Sequence, residues 1–228
     1  VAARTYGQYD GVSTAIELIG ERWALLIVRD LLVGPRRYTD LKAGLPKIPT
    51  NILAARLKEL QAGGVVRRAP IAKCGLVYQL TPYGAALEPI VLALGRWGFA
   101  ALDERTDDEE LTADGLTMAL RSAFRPEEAA ELPATDYEVR VGAVAVRVRV
   151  AEGRLRSWQL APPAPPVGGA LPAEAADLVI SGGAGLRRLL SGDIRPAEAV
   201  ADGALALESG DPALLERFAT VFRIDPVR

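Results

Sequence analysis

The sequence predicts an α+β chain in two parts, a helical N-terminal part that ends in a short hairpin and a C-terminal antiparallel sheet covered by helices. Three observations predict it. Before residue 106 the apolar residues recur mostly at helical spacing. Strand-like alternation appears only later, in Tyr137-Val139-Val141 and in Val144-Val146-Val148-Val150 with Arg147 and Arg149 between. Between the two lies Asp107-Asp108-Glu109-Glu110, four like charges that repel one another and favour solvation. That run is the expected linker, so the expected domains are residues 1–106 and 107–228.

In the first part, residues 12–19 and 22–32 read as helices, with Ile16, Ile19, Trp23, Leu26 and Ile27 available for a core face. Gly34-Pro35 stops the second. A short helix runs from about Thr39 to Gly44, and after a tight connection another runs from near Thr50 to Ala62, closed by Gly63-Gly64. Leu53, Leu57 and Leu60 make one apolar stripe along it. Two strands, near 65–69 and 76–80, flank a turn at Lys73-Cys74-Gly75. Thr81-Pro82 then opens a helix, threonine as cap and proline at the first position, that extends to about Glu104. Pro89 kinks that helix unless its first turns are separate.

Composition narrows the chemistry. The 228 residues contain no histidine and one cysteine, Cys74. That removes the commonest general acid/base, the commonest metal ligand and every Ser-His or Cys-His nucleophile pair. No glycine-rich phosphate cradle or metal-ligand spacing is present, so neither catalysis nor a cofactor is expected. A lone cysteine fits a reducing compartment, the cytoplasm. No apolar run approaches the ~20 residues that span a bilayer, and no signal-peptide pattern opens the chain, whose first residue is Val. Residues 1–106 carry 14 Lys/Arg against 9 Asp/Glu, while residues 107–228 carry 13 against 20. A basic part facing a polyanion, joined to an acidic part with another task, is the reading this asymmetry suggests.

Two short helices and then a two-stranded hairpin define a winged helix-turn-helix, whose second helix enters the DNA major groove while the hairpin follows the backbone. On that second helix Thr50, Asn51, Ala54, Ala55 and Lys58 alternate with the buried leucines. Arg36, Arg37 and Thr39 lie at the first helix of the pair, Lys47 in the turn, Arg67 and Arg68 on the wing and Lys73 at its tip, where phosphates pass in such a docking. Arg56 falls beside the leucine stripe, placed for a phosphate or for an internal carboxylate. The partner expected is double-stranded DNA at a promoter.

These residues also carry a resemblance. Glu17-Leu18-Ile19-Gly20-Glu21-Arg22-Trp23, Gly34-Pro35-Arg36-Arg37-Tyr38-Thr39-Asp40-Leu41, Leu53-Ala54-Ala55-Arg56-Leu57-Lys58-Glu59-Leu60, Gly64-Val65-Val66-Arg67-Arg68 and Tyr78-Gln79-Leu80-Thr81-Pro82-Tyr83-Gly84 closely resemble the HxlR family of bacterial transcriptional regulators. The match runs from about Tyr6 to Gly98. The resemblance implies sequence-specific promoter binding, most often as a repressor. It also implies a homodimer formed by the N-terminal segment and the long helix after the wing, here Tyr6, Tyr9, Leu87, Ile90, Val91, Leu94, Trp97 and Leu102. Two positions depart from the family. Asp10-Gly11 stands where many members have a Cys-Pro pair, so thiol sensing there is not expected, and Cys74 reads as incidental. Pro49 replaces a usual serine cap, which would pass the capping role to Thr50.

In the second part, residues 116–124 read as a helix, 154–160, 178–181 and 205–208 as further strands, and 185–190, 196–201 and 212–222 as helices. Residues 162–169, rich in proline and glycine, read as a loop. The hairpin is expected to have one wet face. The run Leu178-Val179-Ile180, Leu186, Leu189-Leu190-Ser191-Gly192, Asp202-Gly203 and Gly210-Asp211-Pro212 with Leu214-Leu215 resembles sterol-carrier-protein-like domains. That resemblance implies a cavity for a hydrophobic small-molecule effector, with Phe124, Trp158, Leu189, Leu190, Phe218 and Phe222 as wall candidates. A lipid carrier that uses its N-terminal part only to dimerise or dock a protein is the alternative, and salt-insensitive or absent DNA binding would favour it.

Overall fold

The computed structural model describes residues 5–71, 75–103, 110–160 and 171–225. Lys73, Cys74, most of the expected acidic linker and the Pro/Gly-rich loop lie outside them. The chain divides into two compact units, and the division falls after Val91.

The first unit opens with α1 (Gly11–Ile19), capped by Asp10, whose carboxylate accepts from the amides of Val12 and Ser13 at 2.8 and 2.9 Å. The Ser13 hydroxyl and amide hold that carboxyl below its ordinary range. α2 is Ala24–Val33. It starts two residues later than the sequence suggests, because Trp23 takes a left-handed conformation (φ 81°) at its cap. A bulky side chain rarely adopts that region. Here the indole packs against the unit's core and the Arg22 guanidinium lies over it, 5.4 Å from the ring centre. Ile27 joins the core as expected, whereas Ile16 and Leu26 remain exposed.

α3 (Tyr38–Gly44) and α4 (Thr50–Ala62) follow. Leu45 and Ile48 anchor the turn between them in the core. Leu53, Leu57 and Leu60 are the buried residues of α4. The helix ends where Gly64 turns left-handed (φ 70°), a conformation glycine adopts without steric cost. β1 (Val66–Ile71) and β2 (Gly75–Leu80) pair antiparallel as the hairpin. The helix expected after it is two: α5 (Pro82–Ala85) and α6 (Glu88–Phe99). The break leaves Pro89 in the first turn of α6, where a missing N–H costs nothing. Leu87 and Val91 pack against the first unit's core, while Ile90, Leu94 and Trp97 share an exposed stripe of α6.

The second unit contains α7 (Ala113–Ala123), α8 (Pro126–Ala129), β3 (Thr135–Val141), β4 (Val144–Ala151), β5 (Arg154–Gln159), β6 (Leu178–Ser181), α9 (Gly183–Ser191), α10 (Pro196–Ala201), β7 (Ala206–Ser209) and α11 (Pro212–Val221). Its five strands lie in the order β5-β4-β3-β6-β7. The sheet is mixed rather than wholly antiparallel, because β6 pairs parallel with β3. A parallel pair cannot be joined by a tight turn, and β4 and β5 lie between β3 and β6 in chain order. Alternate residues of β3 and β4, among them Tyr137, Val139, Val146 and Val148, enter the core with Phe218 and Phe222 of and beside α11.

The other face of the hairpin is not wet. Asp136, Glu138 and Arg147 are buried, with Arg147 bonded to Glu138 at 3.3 Å. The stretch before β6 explains this. The Arg147 guanidinium donates to the carbonyl of Glu174 at 2.8 Å, and the Asp136 amide donates to the Asp177 carboxylate at 2.8 Å. Burial pushes the Asp136 carboxyl above its ordinary value, against the lowering pull of Arg149.

Candidate nucleic-acid interface

Packing three leucines of α4 inward fixes which residues turn outward. Positions seven apart on a helix return to one face, so Thr50, Asn51, Ala54 and Lys58 form an exposed strip with Ala55 partly exposed at its side. The strip is small or polar with one cation, the composition that fits against base edges. Its start differs from the expected one. Pro49 occupies the cap position with extended backbone (φ −64°, ψ 141°) and no side chain caps the helix, so Thr50 is the first helical residue. The Tyr38 hydroxyl donates to the Thr50 carbonyl at 2.8 Å and ties α3 to this helix start.

Two arginines leave the set of candidate contacts. Arg36 is 1% exposed. Its backbone forms an antiparallel bridge to Tyr78, with N–H···O distances of 2.9 and 2.7 Å, adding a third short strand segment beside β2. That pairing draws the residue into the unit, so its guanidinium is not presented to solvent. Arg56 pairs with Glu59 one turn on and with Glu21 at 3.2 Å. Of the two partners the sequence allowed it, the internal carboxylates hold it. Arg37, Thr39 and Lys47 are exposed. The Arg37 amide donates to the Asp40 carboxylate at 2.9 Å, which fixes the start of α3.

On the wing, Arg67 and Arg68 are both exposed but point to opposite faces, since successive strand residues alternate. Each is held by the facing strand. Arg68 lies over the Tyr78 ring at 5.6 Å from its centre. Arg67 lies opposite Gln79 across the pair, and with the Gln79 amide turned so that its oxygen faces the guanidinium, Nε and Nη2 donate to it at 2.8 Å. Such anchoring reduces the rotamer freedom lost when a guanidinium meets a phosphate. Lys73 falls outside the described residues.

The residues expected to dimerise separate into two groups. Tyr6, Tyr9, Ile90, Leu94, Trp97 and Leu102 are exposed large apolar side chains. Leu87 and Val91 face inward and serve their own unit's core. Leu102 lies beyond the end of α6.

The pocket-wall candidates separate as well. Leu189, Leu190, Phe218 and Phe222 are buried in one continuous cluster. Phe218 and Phe222 stack at 4.6 Å between ring centres, and Tyr137 meets both edge-on at 5.4 and 5.9 Å. Phe124 lies 5.8 Å from Phe222. These rings fill the space a cavity would need. Trp158 is not among them. It faces Arg147 across β4, on the sheet face opposite the aromatic cluster. Sequence reasoning missed a buried polar clamp in which the Gln159 side chain donates to Asp114 at 2.8 Å and to Thr117 at 3.4 Å. Nothing local marks those three residues as neighbours. Among the described residues no group of His, Cys, Asp or Glu could hold a metal ion, and no helix is long and apolar enough to cross a membrane.

Residues 18–106 match the family described as HxlR-like helix-turn-helix. The uncharacterised HTH-type transcriptional regulator YvaP of Bacillus subtilis (strain 168) is 37% identical over 91 residues, 39% of this chain and 84% of its own length. The HTH-type transcriptional regulator YodB of the same organism is 34% identical over 88 residues, 38% of this chain and 79% of its own. Among solved structures, the redox regulator HypR in its reduced form shares 31% identity over 39% of this chain and 90% of its own, with a TM-score of 0.37. The sequence matches, together with α3, α4 and the hairpin, define a DNA-binding transcriptional regulator of helix-turn-helix type. The chain belongs to the HxlR-like helix-turn-helix family. The family match ends at residue 106, before α7.

Proposed function

We propose that the chain acts as a homodimeric repressor whose α4 lies in the major groove of a promoter while the β1–β2 hairpin follows the backbone. The observation that carries this reading is the exposed strip Asn51, Ala54, Lys58 set opposite the buried Leu53, Leu57 and Leu60. Asn51 and Lys58 would read bases or seat the helix, Ala55 would border a thymine methyl, and Arg37, Thr39, Lys47, Thr50, Arg67 and Arg68 would hold phosphates. Dimerisation is supported by the exposed Tyr6, Tyr9, Ile90, Leu94 and Trp97. Two copies would present their α4 helices to half-sites about one helical turn, ~34 Å, apart.

The second unit is proposed as a sterol-carrier-like module that answers a hydrophobic effector. Its sheet with helices and an aromatic cluster on one face supports the reading. So does Tyr137, whose buried hydroxyl lies beside Thr135 and makes no hydrogen bond of normal geometry among the described residues, so that it could receive a polar group on such a ligand. Because the cluster is filled, entry of a ligand requires Phe218 and Phe222 to part.

Selection of duplexes by the full chain from a randomised pool tests the regulator reading. It should return an inverted repeat, and Asn51→Ala with Lys58→Ala should weaken binding to it at least tenfold, the scale of ~1–3 kcal/mol for a lost base contact, while leaving the melting temperature in place. Recovery of no preferred sequence would overturn the reading.

A further inference from the structure

Where β3 begins, the second unit gathers more hydrogen-bond donors than acceptors. Thr135 and Tyr137 point to the same face of the sheet, and both are buried. The Arg217 side chain reaches this place from α11, its guanidinium donating to the Thr135 hydroxyl at 3.2 Å. That hydroxyl gives its own proton to the Pro133 carbonyl at 2.9 Å. The Tyr137 hydroxyl lies beside Thr135 and makes no hydrogen bond of normal geometry among the described residues. Arg217 is half-buried and has no carboxylate partner among the described residues. All of these residues belong to one compact unit.

A bond that merely fastened α11 to β3 would need one neutral donor. A guanidinium brings several N–H groups and a full charge, and a charge that loses part of its hydration needs a counterpart. The acidic group nearest in effect does not supply it, because the Asp177 carboxylate accepts from the Asp136 amide at 2.8 Å. A buried water would satisfy Tyr137 yet leave the charge of Arg217 unmatched. Burial pushes the Tyr137 hydroxyl above its ordinary pKa, more than Thr135 and Arg217 pull it down, so the phenol keeps its proton and stays a donor. A phenol O–H and a cationic N–H donor group thus stand beside one threonine hydroxyl that already accepts from Arg217. What the place lacks is an acceptor, and a negative one.

We infer that the effector of the second unit is an amphiphile with a carboxylate head, and that Arg217 and Tyr137 receive that head. An ionised carboxylate only accepts, and its two oxygens suit a guanidinium and a phenol O–H together. A sterol or alcohol hydroxyl would serve Tyr137 but leave Arg217 without a counter-charge. Position favours a head group as well. The Tyr137 ring meets Phe218 and Phe222 edge-on, so its hydroxyl marks the polar end of the aromatic cluster and an apolar tail would run among the rings. The inference rests on the effector reading, since Phe218 and Phe222 must part to admit that tail.

The experiment measures binding of decanoic acid and of decanol to the full chain by titration calorimetry at neutral pH, below the concentration at which either aggregates. The two share a tail and differ in the head. The acid should bind tighter by about tenfold or more, the scale of charge-assisted hydrogen bonds that only a carboxylate makes. Arg217→Gln should bring the acid down to the affinity of the alcohol and leave the alcohol's affinity in place, and Arg217→Lys, which keeps the charge, should restore most of the preference. Tyr137→Phe should weaken the acid severalfold while the melting temperature holds or rises, because it removes a buried hydroxyl that lacks a partner. Equal affinities for acid and alcohol in the parent chain would overturn the inference. So would an Arg217→Gln variant that weakens both compounds alike or neither, the result expected of a purely structural arginine. If the alcohol binds as well as the acid, only the head-group assignment fails. If neither compound binds, the effector reading itself falls.

Discussion

The aromatic cluster of the second unit and the exposed stripe of α6 with the N-terminal segment use similar residues to opposite ends. Tyr137, Phe218 and Phe222 are at most 1% exposed and meet one another ring to ring. Tyr6, Tyr9 and Trp97 stand open to water, Trp97 at 68% exposure. Each large apolar side chain that is buried contributes roughly 1.5–3 kcal/mol relative to leaving it exposed, so covering these rings would stabilise an assembly. The first cluster is complete within one chain, whereas the exposed rings are proposed to be covered on assembly. A second copy is the partner proposed for it.

The largest effect that would sharpen this contrast comes from the filled cluster. Phe218→Ala should cost about 3–5 kcal/mol, read as a lower denaturation midpoint for the second unit. A loss under ~1 kcal/mol would show that the site collapses easily and that the rings do not form a rigid core. A smaller effect on folding but a large one on assembly is expected from Ile90→Glu with Trp97→Glu. Both side chains are exposed, so the melting temperature should barely move. Sedimentation should nevertheless show monomer where the parent shows dimer. A parent that is already monomeric at working concentration, or a dimeric variant, would break the comparison from the other side.

Much of the fold was legible because its signals are local. Gly63-Gly64 ends α4, Thr81-Pro82 starts α5, and Asp211-Pro212 starts α11, each within a residue of where the caps fall. Placement that depends on distant residues was less legible. Arg36 is buried by a bridge to Tyr78, and nothing near Arg36 in sequence announces that partner. The parallel pairing of β6 with β3 is likewise set by a crossover and not by the strand's own residues. The left-handed Trp23 carries no glycine to mark it. A further kind of error was avoidable. Strand periodicity alone separates Arg67 from Arg68, and the pairing of β5 sets Trp158 opposite Arg147, on the face away from the aromatic cluster with which it was expected. The exposed strip of α4 was legible because helical spacing, not proximity, selects it.

The central claim, that the α4 strip and the wing hold duplex DNA, is tested most directly by the salt dependence of binding to a duplex selected by the full chain. Arg67→Gln/Arg68→Gln should lower the slope of log affinity on log salt by about 2 per bound protomer, at ~0.9 per phosphate released. Arg56→Gln, whose guanidinium is spent on Glu21 and Glu59, should leave that slope as it was. A slope near zero for the parent chain, or one that Arg56→Gln lowers and the wing variant does not, would contradict the account.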